Sequence, residues 1–286
     1  MTELVGDVTL NCTGGIPTQA GAQVPASNVT VFLNTNITSR ILSTSQGTWS
    51  EAILLIDEPH STSNPNVPLL ACGDANAPEV AGNPGVCIVT GTGNGVGVYN
   101  GSVGRPNVFQ ARQGVGAAGG TANAVSWSGV PFDAPGTSGT RVIRITNVRA
   151  NANQLGTSST LVPTQITMYI SVTGSNQLPI NNPTQTVAFI QRGLVSTVYQ
   201  AGSYQQCVSN NAGVATGGNY GAATADFIVT MREGFQSAFK RKNWVTDNPG
   251  GNNPQPLGTT YPSGGDENQN VPGAVYNTES AFENIG

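Results

Sequence analysis

The sequence contains one histidine, His60, so any Ser-His-Asp relay or His-rich metal cluster has a single candidate. His60 sits in Glu58-Pro-His-Ser-Thr-Ser-Asn-Pro65, a turn-rich segment that reads as a surface loop. The Gly-x-Ser-x-Gly turn that presents a serine nucleophile is absent, and Gly136-Thr-Ser-Gly139 has the wrong spacing. Paired carboxylates would suit glycoside hydrolysis, but the 15 acids are spread thinly. Glu51, Asp57 and Glu58 flank an apolar run and Asp133 lies near Trp127, with nothing in the pattern to hold two of them across a cleft. Gly91-Thr-Gly-Asn-Gly-Val-Gly97 fits neither phosphate-cradling glycine pattern and reads as a tight connection. Asp74, Asn76 and Asp266-Glu-Asn268 offer hard oxygen donors without the calcium-loop spacing. These residues predict no catalytic centre, no metal site and no cofactor.

Two other groups could do chemistry. Trp49, Trp244 and Tyr261 are candidates for stacking on a sugar ring, whereas Trp127 lies in a strand-like run and reads as core. The four cysteines, Cys12, Cys72, Cys87 and Cys207, contain no C-x-x-C pair. They are compatible with two disulfides in an oxidising compartment. The expected pairs are Cys72 with Cys87, closing a loop, and Cys12 with Cys207, tying an early strand to a late one. N-x-[ST] occurs at Asn11, Asn28, Asn36 and Asn100, as chance allows in a chain so rich in Asn and Thr.

The composition says what must position these groups. Only 9% of the 286 residues are charged, against about 25% in an average soluble domain. With 11 basic and 15 acidic residues, the net charge is −4. There is no basic footprint for nucleic acid, and no apolar run of the roughly 20 residues that span a bilayer. Val, Ile and Thr favour strands, while 37 Gly and 18 Pro supply turns. The chain begins without a basic or long apolar leader pattern, so export would mean that a signal peptide has been removed. Its final residues, 281–286, read as a cut within a longer protein.

Alternation places the strands. Val8, Leu10 and Cys12 share one face of a first strand, and Val29, Val31 and Leu33 share one face of a second. The run over 51–57 is read as a strand because it is short. Cys87 starts another, and 108–110, 124–127, 141–148, 186–191 and 226–231 follow. The clearest is 166–173, with Ile166, Met168, Ile170 and Val172 on one side. Residues 59–87 form a Pro-rich excursion pinned by Cys72 and Cys87. Residues 232–242 carry Phe235 and Phe239 at helical spacing, with continuation of the preceding strand as the alternative. Roughly nine to eleven strands with long loops predict an all-β, Ig-like β-sandwich with at most one short helix. The expected module spans 1–242, and 243–286 reads as an Asn/Pro/Gly-rich linker or tail.

Several segments resemble a family. Asn28-Val-Thr-Val-Phe-Leu-Asn-Thr-Asn-Ile-Thr-Ser-Arg40, Leu54-Leu-Ile-Asp-Glu-Pro59, Gly104-Arg-Pro-Asn-Val-Phe-Gln110, 139–155 and Gly234-Phe-Gln-Ser-Ala-Phe-Lys240 are similar to the N-terminal regions of large secreted, β-rich surface proteins of soil Acidobacteria. The resemblance covers most of 1–242. It implies an exported β-rich module and brings no activity with it.

The sequence therefore predicts a non-enzymatic extracellular structural protein, part of a cell-surface, fibre or matrix assembly. Its partners would be copies of itself or neighbouring modules, joined through sheet edges and uncharged faces. The strand carrying Val8 and Leu10 is the candidate for exchange between neighbours. The alternative is a surface-displayed adhesin or carbohydrate-binding module with glycan partners.

Overall fold

The computed structural model describes residues 2–44, 47–113, 121–158, 162–174, 178–200, 227–234, 244–246 and 254–256. The first strands are β1 (Thr2–Leu4), β2 (Val8–Gly14), β3 (Ala26–Leu33), β4 (Ile41–Ser43), β5 (Trp49–Ile56) and β6 (Glu79–Val80). Next come β7 (Asn83–Cys87), β8 (Val108–Gln113), β9 (Ala124–Pro131), β10 (Gly136–Thr146) and β11 (Arg149–Asn151). A single turn of helix, α1 (Ala152–Leu155), precedes β12 (Thr164–Gly174), β13 (Thr184–Ile190), β14 (Leu194–Gln200) and β15 (Phe227–Glu233). β16 (Trp244–Thr246) and β17 (Pro254–Pro256) pair within the segment read as a tail. The protein is all-β, and its named strands pair antiparallel throughout.

The chain divides into two compact units, Met1–Ile190 with Lys242–Gly286, and Gln191–Arg241, so the break falls at Gln191 within the module expected over 1–242. In the first unit, a nine-stranded sheet runs β13-β12-β3-β9-β8-β5-β10-β2, with β4 beside β5. Alternation explains its inner face. Ile166, Met168 and Ile170 of β12, Val29, Val31 and Leu33 of β3, Ala52, Leu54 and Ile56 of β5, and Ile143 and Ile145 of β10 are all buried in one cluster. Each large aliphatic side chain so removed from water contributes about 1.5–3 kcal/mol. Trp127 completes the centre, its indole N–H donating to the Phe109 carbonyl at 3.0 Å. The ends of the sheet path meet at one bond, Gly6 N–H to the Val187 carbonyl, 2.8 Å. The sheet thus curls back on itself in a sandwich- or barrel-like way.

The excursion before β8 is pinned as the sequence predicts, by a Cys72–Cys87 disulfide. Asn107, fully buried, adds a polar pin: its side chain accepts from Leu70 N–H at 2.9 Å and donates to the carbonyls of Pro68 and Tyr99. Cys87 ends a strand rather than starting one, because β6 and β7 turn tightly at Gly82 (φ 79°) and form their own hairpin. The alternative reading of 232–242 fits better at its start, since Arg232 and Glu233 continue β15. Residues 235–242, with Phe235 and Phe239, lie outside the described residues.

In the second unit, β14 and β15 form a two-stranded ribbon, seven residues each, from Leu194↔Glu233 to Gln200↔Phe227.

Candidate functional site

The end strands of the large sheet form the candidate site. β2 reads Val-Thr-Leu-Asn-Cys-Thr-Gly and β13 reads Thr-Gln-Thr-Val-Ala-Phe-Ile, neither with a charge or a proline. Val8 is buried in the core, and Leu10 and Cys12 pack against it, so Thr9, Asn11 and Thr13 face outward. Backbone direction follows from β10. The Val142 carbonyl accepts from Asp57 N–H on the β5 side, so Arg141, Ile143 and Ile145 direct their backbone groups toward β2. Their register partners, Cys12, Leu10 and Val8, return those bonds. The amides and carbonyls of Thr9, Asn11 and Thr13 therefore point away from the sheet, and among the described residues they take no partner.

Between β2 and the 178–182 segment that leads into β13 lies a cavity of about 270 Å³. Leu10, Cys12, Phe132, Ile143, Val172 and Ile180 supply its apolar lining, with Asn and Gln amides at its rim. The described residues that line it include no carboxylate, amine or guanidinium. A second gap of about 310 Å³ lies between 6–10 and 182–187.

One end of the inner face is closed by a polar plug around Arg141, whose side chain is 3% exposed. Its guanidinium pairs with Asp57 at 3.1 Å and donates to the carbonyls of Asp133 and Gly95. It also lies 4.4 Å from the centre of the Tyr99 ring. The Tyr99 hydroxyl donates to the Pro131 carbonyl at 2.6 Å and accepts from Asp133 N–H at 2.9 Å. Burial pushes the Tyr99 phenol far above its ordinary range; Arg141 opposes this and does not overcome it. Burial likewise raises the Cys12 thiol, with Arg141 pulling down and Asp57 adding to the rise. Asp57, Glu58 and His60 adopt φ of 60°, 43° and 56°, conformations unusual outside glycine. This bent segment turns Asp57 onto Arg141 and Glu58 toward Arg144.

The carboxylates singled out by sequence are separated, each on its own partner. Glu51 pairs with buried Arg149 and accepts from Arg40 N–H, Asp57 and Glu58 meet arginines, and Asp133 accepts from Thr18 N–H at 2.7 Å. Asp74 caps its own turn by accepting from Asn76 N–H. Asp266, Glu267 and Asn268 lie outside the described residues. The glycine segment 91–97 folds tightly: Gly95 has φ 72° and gives its carbonyl to Arg141.

Cys12 carries a free thiol among the described residues, and Cys207, the partner expected for it, lies outside them. Register places Cys12 against Arg141 of its own sheet, with its side chain toward the cavity. Val8 and Leu10, the candidate exchanged strand, belong to their own chain's sheet through β10. Trp49 is half-buried; Arg112 lies 5.4 Å over its ring, and the ring also covers Gly85. Trp244 has its backbone paired with Pro256, and Tyr261 lies outside the described residues. Sequence reasoning missed Arg141, Tyr99 and Asn107; a lone Arg opening an apolar alternation and an Asn between Pro and Val were the available signals.

No protein family, curated protein or solved structure matches this chain.

Proposed function

We propose that the chain is a non-enzymatic structural module of an extracellular assembly, a cell-surface layer, fibre or matrix, held together through its sheet edges. The observation that carries this reading is the pair of unguarded end strands. Edges of natural sheets are usually protected by lysine, proline, inward charge or strong bulges, because a row of free amides and carbonyls templates another chain. β2 has no charge and no proline over seven residues, and its one irregularity, opposite Gly136/Thr140, falls at its end. β13 has one irregularity, opposite Ile166/Thr167, and no charge. Association by strand addition needs backbone hydrogen bonds and little side-chain specificity. The Cys72–Cys87 disulfide is compatible with an oxidising, extracellular setting.

The test is sedimentation of the purified full chain over a hundredfold concentration range, with electron micrographs of the same samples. Growth into filaments, sheets or discrete oligomers is the expected result. A single monomeric species at every concentration refutes the reading.

A further inference from the structure

Resting on that reading, we propose that the partner of the β2 edge is the β14–β15 ribbon of a second copy, added through β14 and parallel to β2. A lone two-stranded ribbon is at best marginally stable in water. This one carries Leu194, Val198, Val229 and Met231, 47%, 68%, 43% and 69% exposed, on one face, with Ser196 opposite Met231 among them. Val195, 45% exposed, Thr197, Thr230 and Arg232 are among the residues at register positions of the other face. Among the described residues the ribbon thus has exposed apolar side chains on that face and no third strand beside β14, and β2 has outward backbone groups without partners beside a cavity with apolar lining. β14 is the matching strand because Leu-Val-Ser-Thr-Val-Tyr-Gln is uncharged, as is the cavity lining, whereas β15 ends in Arg232-Glu233.

Register fixes the direction. The Gly193 carbonyl accepts from Gly234 N–H, so odd-numbered residues of β14 direct their backbone to β15. Leu194, Ser196 and Val198 direct theirs to the open side. On β2 the open groups belong to Thr9, Asn11 and Thr13. Antiparallel pairing sets these two groups of residues opposite each other, leaving Leu194 and Val198 on the outer face beside Thr9 and Asn11. Parallel pairing instead sets Leu194 and Val198 on the same side as Leu10 and Cys12, over the cavity. Parallel addition therefore covers apolar surface on both partners. The contact is heterologous, one surface meeting a different one, so it propagates head to tail.

Full-length Asn11→Pro and Ser196→Pro each remove one outward amide while leaving their own ladders intact, a change edge strands tolerate. Each variant alone should be monomeric where wild type forms chains, seen by sedimentation. Mixed one to one, they should form heterodimers and nothing longer, because one retains only a donor ribbon and the other only an acceptor edge. Asn11→Lys and Ser196→Lys repeat the test without backbone change, should either proline variant fail to fold. Leu194→Ser/Val198→Ser should weaken association at least tenfold, with Val195→Ser near wild type. If Ser196→Pro and Ser196→Lys both polymerise like wild type, or Val195→Ser is the damaging change, this inference fails while edge association stands. A wild-type chain that never associates overturns both.

Discussion

Replacing Arg141 with alanine tests whether the plug anchors the sheet through its neutral acceptors or through its ion pair. The guanidinium is 3% exposed and serves four partners: Asp57, two backbone carbonyls and the Tyr99 ring. Its removal leaves the Gly95 and Asp133 carbonyls without this donor, about 1–3 kcal/mol each. The lost ring contact adds about 0.5–2 kcal/mol. Local relaxation and water entry offset part of this, and breaking buried pairs typically costs about 3–5 kcal/mol. Asp57 is different. Its side chain is 29% exposed, so its charge is partly solvated. Asparagine also tolerates the left-handed backbone found there. Asp57→Asn should therefore cost only about 1 kcal/mol. Urea unfolding of wild type, Arg141→Ala, Asp57→Asn and the double variant supplies the numbers, with the double-variant cycle isolating the pair. The expected order is a loss at least twice as large for Arg141→Ala as for Asp57→Asn. Equal losses would make the ion pair the anchor, and a loss below about 1 kcal/mol for Arg141→Ala would show that the plug carries little stability.

Three further outcomes are expected. Reducing Cys72–Cys87, which closes a 15-residue separation, should destabilise the fold by about 3 kcal/mol; an unchanged melting temperature under reductant would refute this. Cys12 and Tyr99 are both held protonated in the fold, so above about pH 8.5 for the thiol the unfolded chain binds fewer protons than the folded one. Stability should then fall as pH rises and be fully present below that range; a urea midpoint that climbs between neutral and alkaline pH contradicts it. Gly95→Ala places a Cβ 2.3 Å from the Ala134 carbonyl at φ 72°, so it should cost about 2 kcal/mol or more, and a neutral substitution would show that the 91–97 loop gives way freely.

Strands that pack one face on the core were legible because burial writes a period of two into them. Ile166, Met168 and Ile170 are the clearest case: each is buried, and Tyr169 between them is 47% exposed. β14 was not legible, because Leu194 and Val195 are adjacent apolar residues on opposite faces of the ribbon, both about half exposed, so burial writes no period of two into it. β1, β4 and β11, at three residues each, are too short to show any period. The Cys72–Cys87 bond could be anticipated because a turn-rich loop brings its ends together. The cavity could not, since its walls come from β2, from the inner face of β3, β10 and β12, and from the 178–182 segment, which are far apart in sequence. Arg141 was hidden for a related reason: a charge opening an apolar alternation resembles a solvated strand end, and only the arrival of Asp133, Gly95 and Tyr99 makes it an interior group.

Charge placement links the plug to the edges. The protein has few charged residues, and four of them, Glu51, Asp133, Arg141 and Arg149, are buried. Val8–Gly14 itself carries no charge; Arg144, opposite Thr9, meets Asp7 and Glu58, and Arg141, opposite Cys12, is buried on Asp57. Charges held inside cannot repel an approaching strand. The usual surface arrangement, with lysines and glutamates distributed over exposed edges, keeps like copies apart. The outward backbone of Thr9, Asn11 and Thr13 comes from uncharged residues, with Arg144 opposite Thr9 held by Asp7 and the chain's own 178–187 segment across the two gaps. A single lysine at position 11 should accordingly change association far more than folding, because that residue's outward groups contribute nothing to its own sheet. Comparable losses in both would mean that the edge is held within the chain itself and is not open to a neighbour.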